Sequence, residues 1–463
     1  MLFVEARFFL FFLLVFAVHW ALPGQKSRKL LLLVASCGFY AAWDWRFLSL
    51  ILTSSAVDFV TARGIRATEI EAVRKRWLAG SIAANLGILG FFKYFGFFME
   101  SVTQAASALG LELAPQTLRI VLPVGISFYT FQSMSYSLDV YRRRLDTVPS
   151  LLDFGLFVSF FPQLVAGPIV RARDFLPQLQ RARRFQEVDA RRYLLLFLSG
   201  FIKKTVVADR LAVAVDSVFA APELYTTASK WLAAALYHVQ IYCDFSGYTD
   251  MAIALAGMLG YRLTANFDFP YLSGSIREFW RRWHISLSSW FRDYLYFSLG
   301  GNRGTAIRTA RNLLVVFVLC GLWHGAAWTF IAWGLFHGAL LVLERGPFGD
   351  WLARRQLGLR LIYVQLGAVI AWVFFRSPDL SSAFRYLEGM AGISAGGSVS
   401  LGAGWAAFLL ALAGVHVGMY RYRERLSPDR WPGWAFGLAY GAAVSAVLPW
   451  ISTRHVPFIY FQF

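Results

Sequence analysis

The sequence has few charged residues and few cysteines for its length. Charged residues make up 16% of the 463 residues and apolar residues 57%, a balance that excludes a chain built only of soluble domains. The three cysteines, Cys37, Cys243 and Cys320, lie singly in apolar surroundings. Their isolation predicts neither a disulfide framework nor a Cys-x-x-Cys metal site, and we expect no bound metal.

Acidic residues are also scarce, because 27 Asp and Glu stand against 45 Lys and Arg, giving a net charge of +18. No RRM-like, zinc-finger or helix-turn-helix pattern accompanies this charge, so we expect membrane lipid and not nucleic acid as a partner. The basic residues concentrate in loops, which predicts cytoplasmic loops and an N-terminus outside. These loops are Lys26–Lys29, Arg63–Arg76, Arg171–Arg192, Arg277–Arg311, Arg354–Arg360 and Arg421–Arg430.

Long apolar runs recur from one end of the chain to the other, which predicts an all-α polytopic membrane protein of one integral membrane domain. We expect ten to thirteen membrane segments. The first run lacks a small-residue cleavage site and is predicted to be an uncleaved span. The candidate spans are residues 5–21, 30–45, 47–62, 78–98, 118–138, 151–168, 193–219, 228–260, 285–299, 312–343, 359–376, 404–420 and 432–451.

Some of these runs contain helix-breaking residues. Pro123 and Gly125 interrupt one run, and Pro162 and Pro168 flank the buried Gln163 in another. Inside a membrane the freed backbone groups need a partner or a water-filled cavity. We therefore expect broken or re-entrant helices that line a tunnel.

His324 lies within an uninterrupted apolar run, residues 313–343. An ionisable ring buried in a membrane segment marks a candidate functional site, and burial favours its neutral, proton-accepting form. Gly321 and Gly325 would allow another helix or a substrate to approach. The alternative is a histidine hydrogen-bonded between helices. His337 would lie about 20 Å further along a continuous helix, so it is predicted to be structural unless the helix breaks between the two rings.

Residues 275–294 interleave arginines with tryptophans. The plain interpretation is an amphipathic helix at the cytoplasmic lipid headgroups. A second interpretation adds a phosphate-bearing thioester donor that arginines bind. The candidate donor-binding residues are Arg281, Arg282, Trp283, Arg292 and Arg303.

Asp244, Ser246 and Asp250 follow one another in an apolar run. They could orient a histidine or bind an incoming hydroxyl. The alternative is helix capping and hydrogen bonding between helices. Lys203 and Lys204, with Asp209 and Arg210, are predicted to end a span at the interface and to pair locally.

Together these motifs resemble the membrane-bound O-acyltransferase family, and most of all its bacterial branch that O-acetylates exported polysaccharides such as alginate. The resemblance covers nearly the whole chain. It is carried by Leu122–Tyr129, Phe160–Arg171, Tyr242–Ile253, Ser275–Asn302, Gly321–Trp328 and the ending Phe458–Phe463.

The resemblance implies a curved bundle of about ten to thirteen membrane helices around a central tunnel, with scaffold helices over 1–115, a catalytic core over 116–345 and C-terminal helices over 346–463. It identifies His324 as the catalytic histidine and His284 as a second functional histidine. His324 would be the general base, and His284 would orient the acyl carbonyl or stabilise the oxyanion. A covalent acyl-histidine remains a variant.

The implied reaction moves an acetyl group from a cytoplasmic thioester, acetyl-CoA or another, to a hydroxyl at the outer face of the bacterial inner membrane, without a bound cofactor. A periplasmic SGNH-type partner protein would pass the acetyl group to the polysaccharide. D-alanyl-type transfer to a cell-wall polymer is an alternative. So are a transporter or channel for a small acylated solute, which the lack of a strong inverted repeat disfavours, and a scaffold that anchors a soluble transferase.

Overall fold

The structure is a computed structural model that describes residues 1–112, 120–148, 150–164, 167–394, 396–422, 431–450 and 458–459. Parts of several predicted features lie outside these residues. They are the motif Phe160–Arg171, the basic loop Arg421–Arg430, the ending Phe458–Phe463 and the candidate spans 118–138, 151–168 and 432–451. The chain divides into two compact units. The first is Met1–Tyr193 with Ala252–Thr264, and the second is Leu194–Met251 with Ala265–Phe463. The three-part division at residues 115 and 345 stays a prediction.

The first unit is built from apolar helices. They are α1 (Ala6–Ala21), α2 (Gln25–Asp44), α3 (Leu48–Arg66), α4 (Glu71–Leu89), α5 (Phe95–Ala108), α6 (Ile126–Tyr141), α7 (Leu151–Ser159), α8 (Phe161–Leu164), α9 (Ala172–Gln180) and the start of α10 (Ala190–Phe201). Short 3₁₀ turns cover Trp45–Phe47 and Phe185–Glu187, and a π-helical turn, Gly90–Tyr94, joins α4 to α5.

The second unit holds the remaining helices and most of α12. They are α11 (Asp209–Ala220), α12 (Thr227–Met258), α13 (Ile276–Arg282), α14 (Ile285–Trp290), α15 (Ala306–His324), α16 (Trp328–Leu343), α17 (Pro347–Ala353), α18 (Leu357–Arg376), α19 (Leu380–Ala391), α20 (Ala403–Tyr422) and α21 (Gly433–Val447). The π-helical segments are Ile202–Ala208 and Phe291–Tyr296, and the 3₁₀ turns are Pro222–Leu224, Pro270–Leu272 and Leu448–Trp450.

Several helices are long and apolar enough to cross a membrane. Within the described residues, five stretches qualify by length and composition: Gln25–Arg66, Glu71–Ala108, Ala306–His324, Leu357–Arg376 and Ala403–Tyr422. Ala6–Ala21 and Trp328–Leu343 are shorter apolar helices. The part of the chain that the structure describes contains no strand beyond an isolated bridge between Tyr225 and Val399. The predicted all-α polytopic class is confirmed, whereas the number of membrane crossings and the tunnel stay predictions.

The predicted breaks occur where proline and glycine stand. Helix α6 begins only after Gly125, which has a left-handed backbone (φ 76°) and whose missing Cβ would lie 2.6 Å from the carbonyl oxygen of Leu164. Phe160 separates α7 from α8, just before Pro162. Glycine alone fits the first of these positions without strain, which explains why the helix starts there.

Two other predicted helices are broken where no proline stands. The run 313–343 is not one helix, because α15 ends at His324 and α16 begins at Trp328. The stretch 275–294 is not one amphipathic helix either, because Trp283 and His284 separate α13 from α14. Both breaks fall beside a predicted functional histidine.

A buried carboxylate organises the polar core of the first unit. Asp58 on α3 is fully buried and accepts hydrogen bonds from the hydroxyls of Ser81, Ser133 and Ser137. The amide of Asn85 donates to the same carboxylate at 2.8 Å. Because these donors lie on α4 and α6, the carboxylate joins three helices through hydrogen bonds that an apolar interior strengthens.

Candidate functional site

His324 stands at the end of a helix that turns back on itself. After His324 the backbone is extended at Gly325 and Ala327, and α16 then begins. A Cβ at Gly321 would overlap the carbonyl oxygen of Phe330, and one at Gly325 would overlap the Phe330 ring. The two glycines therefore let α16 pack directly against α15, which is the close helix approach that the sequence predicted.

His284 occupies a strained position between two short helices. Its backbone is left-handed (φ 43°, ψ 54°), and it serves as the N-cap residue of α14. A side chain other than glycine rarely adopts this conformation, and such strain concentrates at functional sites. The strain is held by full burial of the residue. Amphipathic periodicity in the sequence does not predict the left-handed backbone at His284.

The structure brings His284 and His324 together, and we call them the histidine pair. Their ring centroids lie 6.3 Å apart, and both side chains are buried. Trp323 contacts both rings, at 5.9 Å from His284 and 5.0 Å from His324. Further aromatic rings pack edge-on around the pair: Phe245 on His284, and Trp333 and Phe375 on His324. Aromatic side chains therefore form much of the surroundings of both imidazoles.

Asn266 fixes the tautomer of His284. Its side-chain oxygen accepts the backbone N–H of Ser286 at 3.1 Å and the Ser286 hydroxyl at 2.8 Å, so this atom is the oxygen and not the nitrogen. His284 Nδ1 lies 3.1 Å from the same oxygen and must donate its proton to it. In the neutral ring the lone pair is then on Nε2. Burial lowers the pKa of His284 well below its usual value, which favours this neutral form.

The break between α15 and α16 changes the position expected for His337. Its ring contacts Trp333 at 5.0 Å, and the same indole contacts His324 at 5.0 Å. His337 Nδ1 accepts a long hydrogen bond, 3.4 Å, from the indole N–H of Trp280. The separation expected for a continuous helix is therefore wrong, since one tryptophan joins the surroundings of both histidines.

The candidate donor-binding residues differ in their exposure. Trp283 is buried and stacks on Phe279 with centroids 5.6 Å apart. Arg281 is exposed, and Arg282 is partly buried and pairs with Glu278 at 2.7 Å. Arg292 is exposed and pairs with its neighbour Asp293, and Arg303 is exposed. The arginines thus lie near a surface, whereas Trp283 belongs to the aromatic interior beside His284.

The predicted carboxylates are held by lysines. Asp244 is buried and lies 2.6 Å from the ammonium group of Lys204, which is also 2.8 Å from Asp209. Asp250 lies 2.6 Å from Lys203, and Ser246 is buried one turn from Tyr242. The local pair of Lys204 with Asp209 therefore exists and extends to Asp244. A substrate role for Asp244, Ser246 and Asp250 stays a prediction.

Asp244 also binds the end of the described chain. Its second carboxylate oxygen accepts the backbone N–H of Ile459 at 2.8 Å. The preceding Phe458 contacts Phe245 at 5.7 Å, and Phe245 packs on His284 at 4.7 Å. Asp244 is thus connected to His284 through the backbone of Ile459 and the rings of Phe458 and Phe245.

Sequence reasoning missed Asn266. It lies 18 positions before His284 in the chain, and no spacing rule connects the two. The available signal is an amide side chain in the non-helical segment that follows α12. No group of three or more His, Cys, Asp or Glu side chains in the described ranges is arranged to hold a metal ion.

Known proteins resemble this chain over lengths that range from about half of it to most of it. Residues 126–377, which include the histidine pair and Asn266, match the family described as MBOAT, membrane-bound O-acyltransferase family. The chain is 43% identical over 399 residues to the probable alginate O-acetylase AlgI of Azotobacter vinelandii, covering 84% of this chain and 78% of the relative. The chain is 36% identical over 397 residues to the peptidoglycan O-acetyltransferase of Helicobacter pylori, covering 79% of this chain and 74% of the relative. The teichoic acid D-alanyltransferase of Bacillus subtilis is 31% identical over 231 residues, covering 47% and 58%.

Proposed function

This chain belongs to the membrane-bound O-acyltransferase family and is a multi-pass membrane O-acyltransferase, and from this we propose that it O-acetylates an exported polysaccharide of the alginate class at the histidine pair. The observation that supports the site most strongly is the 6.3 Å approach of two buried imidazoles at two helix breaks. One histidine hydrogen-bonded between helices would need neither the second ring nor the strained backbone at His284.

His324 is the general base in this proposal. It takes the proton of the acceptor hydroxyl as the hydroxyl oxygen attacks the carbonyl carbon of the acyl thioester. The C–S bond then breaks, and the imidazolium returns the proton to the leaving thiolate, which leaves as a free thiol. General base catalysis of this kind contributes about 10²–10⁴-fold.

His284 acts as a hydrogen-bond acceptor in the same step. Stabilising an oxyanion through Nε2 would require a proton on that atom, yet Nδ1 already carries the proton that Asn266 binds. Burial opposes a second proton on the ring. We therefore assign Nε2 of His284 to orient a polar hydrogen beside His324, either that of the substrate hydroxyl or that of the His324 ring.

We propose that the acetyl group moves from the cytoplasmic side of the membrane to the outer side. The donor is a cytoplasmic thioester, with acetyl-CoA as the simplest case, and Arg281 and Arg282 would bind its phosphates. The acceptor hydroxyl lies at the outer face of the bacterial inner membrane, and the N-terminus is outside. A periplasmic SGNH-type partner would carry the acetyl group to the polymer.

Acetyl transfer is preferred over D-alanyl transfer. Relatives named for O-acetylation match 79–84% of this chain, whereas the match to the D-alanyltransferase of Bacillus subtilis covers 47%. Mass analysis of the cell-surface polysaccharide with and without this chain identifies the transferred group.

The decisive experiment is transfer by the purified protein. Labelled acetyl-CoA and a simple alcohol are added to the chain in detergent, and ester formation is measured. Formation of the labelled ester supports an enzyme of this type. If no acyl thioester yields an ester with any hydroxyl, with or without a periplasmic partner, the proposed activity is wrong.

The donor site has its own test. Replacing Arg281 and Arg282 by Glu should raise the KM for acetyl-CoA with little change in kcat, because the arginines bind the phosphates and do not touch the thioester. Replacing Arg354 and Arg355 by Glu, after α17, is the matched double charge reversal, because both arginines are exposed and neither is a candidate donor-binding residue. Unchanged donor kinetics in the double variant would leave these arginines as lipid-headgroup contacts only.

A further inference from the structure

A basic cleft lies in the first unit, apart from the chemistry described above. It has a volume of about 210 Å³ and is formed by the turn between α3 and α4 and by the residues that follow α6. A water molecule occupies roughly 30 Å³ of liquid, so the cleft has room for a group as large as a phosphate. Arg66 ends one candidate membrane span and Glu71 begins the next, which puts the cleft at a boundary of the apolar helices.

The cations that line the cleft outnumber its carboxylates. The four cations, Arg66, Arg74, Arg143 and Arg144, are all arginines, and the two carboxylates are Glu69 and Asp146. Arginine binds phosphate through parallel hydrogen bonds that lysine cannot reproduce. The excess of two positive charges matches the charge of about −1 to −2 on a phosphate group.

The cleft is held in shape by its own ion pairs. Arg66 lies 3.3 Å from Asp146 and 3.8 Å from Glu69, and Glu69 also pairs with Arg143. Arg143 has a left-handed backbone (φ 57°), which directs the chain around the cleft at some conformational cost. These contacts join the α3–α4 turn to the segment after α6.

Two of the arginines retain unused donors. Arg74 is 6% exposed, donates to the carbonyl oxygen of Tyr141 at 2.6 Å and lies 3.8 Å from Glu71, whereas its buried Nε has no hydrogen-bond acceptor among the described residues. Arg144 is exposed, and within the described ranges no carboxylate lies at ion-pair distance from it. The exposed guanidinium of Arg144 is therefore available to an anion, and Arg74 adds a buried positive charge to the wall of the cleft.

We propose that this arginine cleft is a binding site for a phosphate group carried by a ligand at the membrane boundary. Two sources share this chemistry, namely an anionic phospholipid headgroup and a soluble phosphate ester such as coenzyme A. The site does not depend on the acyl-transfer proposal.

The experiment measures binding to the purified full chain in non-ionic detergent. Dihexanoyl phosphatidylglycerol, coenzyme A and dihexanoylglycerol, which lacks phosphate, are titrated separately by calorimetry. Arg144→Gln should weaken binding of the recognised phosphate probe about tenfold, the loss of one charge-assisted contact. Arg76→Gln removes the same charge from an exposed position on α4 that does not line the cleft, and it should bind as the unaltered protein does.

The outcome assigns the source or rejects the site. Weaker phosphatidylglycerol binding in Arg144→Gln alone identifies a lipid headgroup, and weaker coenzyme A binding in that variant alone identifies a soluble ester. The proposal is overturned if the unaltered protein binds phosphatidylglycerol no better than dihexanoylglycerol and its coenzyme A affinity is the same in Arg144→Gln. Equal losses in both variants also overturn it.

Discussion

Two buried histidines of the second unit, His238 and His284, have opposite hydrogen-bonding arrangements. Nδ1 of His238 accepts the indole N–H of Trp372 at 3.0 Å, and its Nε2 lies 2.8 Å from the side-chain oxygen of Gln365. In the neutral ring the proton is therefore on Nε2. The basic nitrogen, Nδ1, already accepts a hydrogen bond from Trp372. His284 instead donates a hydrogen bond from Nδ1 to the side-chain oxygen of Asn266, so Nε2 is its basic nitrogen.

The comparison sets the arrangement expected of a structural histidine against that of the histidine that we propose to be reactive. His238 also stacks on Tyr271 at 3.6 Å and sits within a regular helix. His284 occupies a strained break and lies 6.3 Å from His324. Burial alone does not distinguish the two rings, because both are buried. The tautomer and the second imidazole do, so the following predictions test that distinction.

Removal of His324 should have the largest effect. His324→Ala should lower acetyl transfer by about 10²–10⁴-fold, because it removes the general base. Transfer of labelled acetyl by equal amounts of purified protein is the measurement, with membrane abundance as the folding control. His337→Phe removes another buried histidine that contacts Trp333 and should cause a much smaller loss. Normal transfer by His324→Ala would exclude the assignment.

Changes at His284 should come next. His284→Ala should lower the rate by about 10²-fold, since the variant loses both the basic Nε2 and the bond to Asn266. His284→Asn tolerates the left-handed backbone and keeps a polar side chain, so it should recover part of the loss. A His284→Ala variant that is folded and as active as the original protein would show that only one histidine is needed.

Asn266 should have a smaller effect that acts through His284. Asn266→Ala frees the tautomer, and we expect about a tenfold lower kcat with KM little changed, the equivalent of one hydrogen bond of about 1.4 kcal/mol. Ser286→Ala removes one donor to Asn266 but leaves the His284 bond in place, so its kcat should fall less. Equal effects of the two variants would mean that Asn266 serves only to hold the backbone.

His238 should matter least for transfer. His238→Phe leaves the indole N–H of Trp372 and the Gln365 oxygen without partners, which should destabilise the fold by about 1–3 kcal/mol. Its kcat per folded molecule should nevertheless stay close to that of the original protein. Thermal unfolding and acetyl transfer measured on the same preparation separate the two effects. A loss as large as that of His284→Ala would remove the distinction between the two histidines.

Hydropathy and breaker residues predicted much of the fold. The apolar runs indicated an all-α membrane protein, and Gly125 and Pro162 marked real helix breaks. The breaks at His324 and His284 could not be predicted, because they arise from packing. Glycines such as Gly321 and Gly325 are common in membrane helices. Only the position of Phe330 beside them shows that the chain reverses after α15.

The site could be predicted only in part. The motifs indicated His324 and His284, but the tautomer of His284 depends on Asn266, a partner fixed by tertiary structure. The sequence predicts either substrate binding or hydrogen bonding between helices for Asp244. Its contacts in the structure are Lys204 and the backbone of Ile459, and the substrate role stays a prediction. Sequence patterns find reactive side chains, whereas only their partners show which of them are already engaged.

The most direct test of the account is a double-mutant cycle on the histidine pair. Single-turnover transfer of labelled acetyl is measured for the original protein, His284→Ala, His324→Ala and the double variant. If the two rings act as one site, the double variant should be slower than the slower single variant by no more than about threefold, because groups that act as a unit lose their effect together. Rate losses that multiply in the double variant would show independent roles and contradict the account.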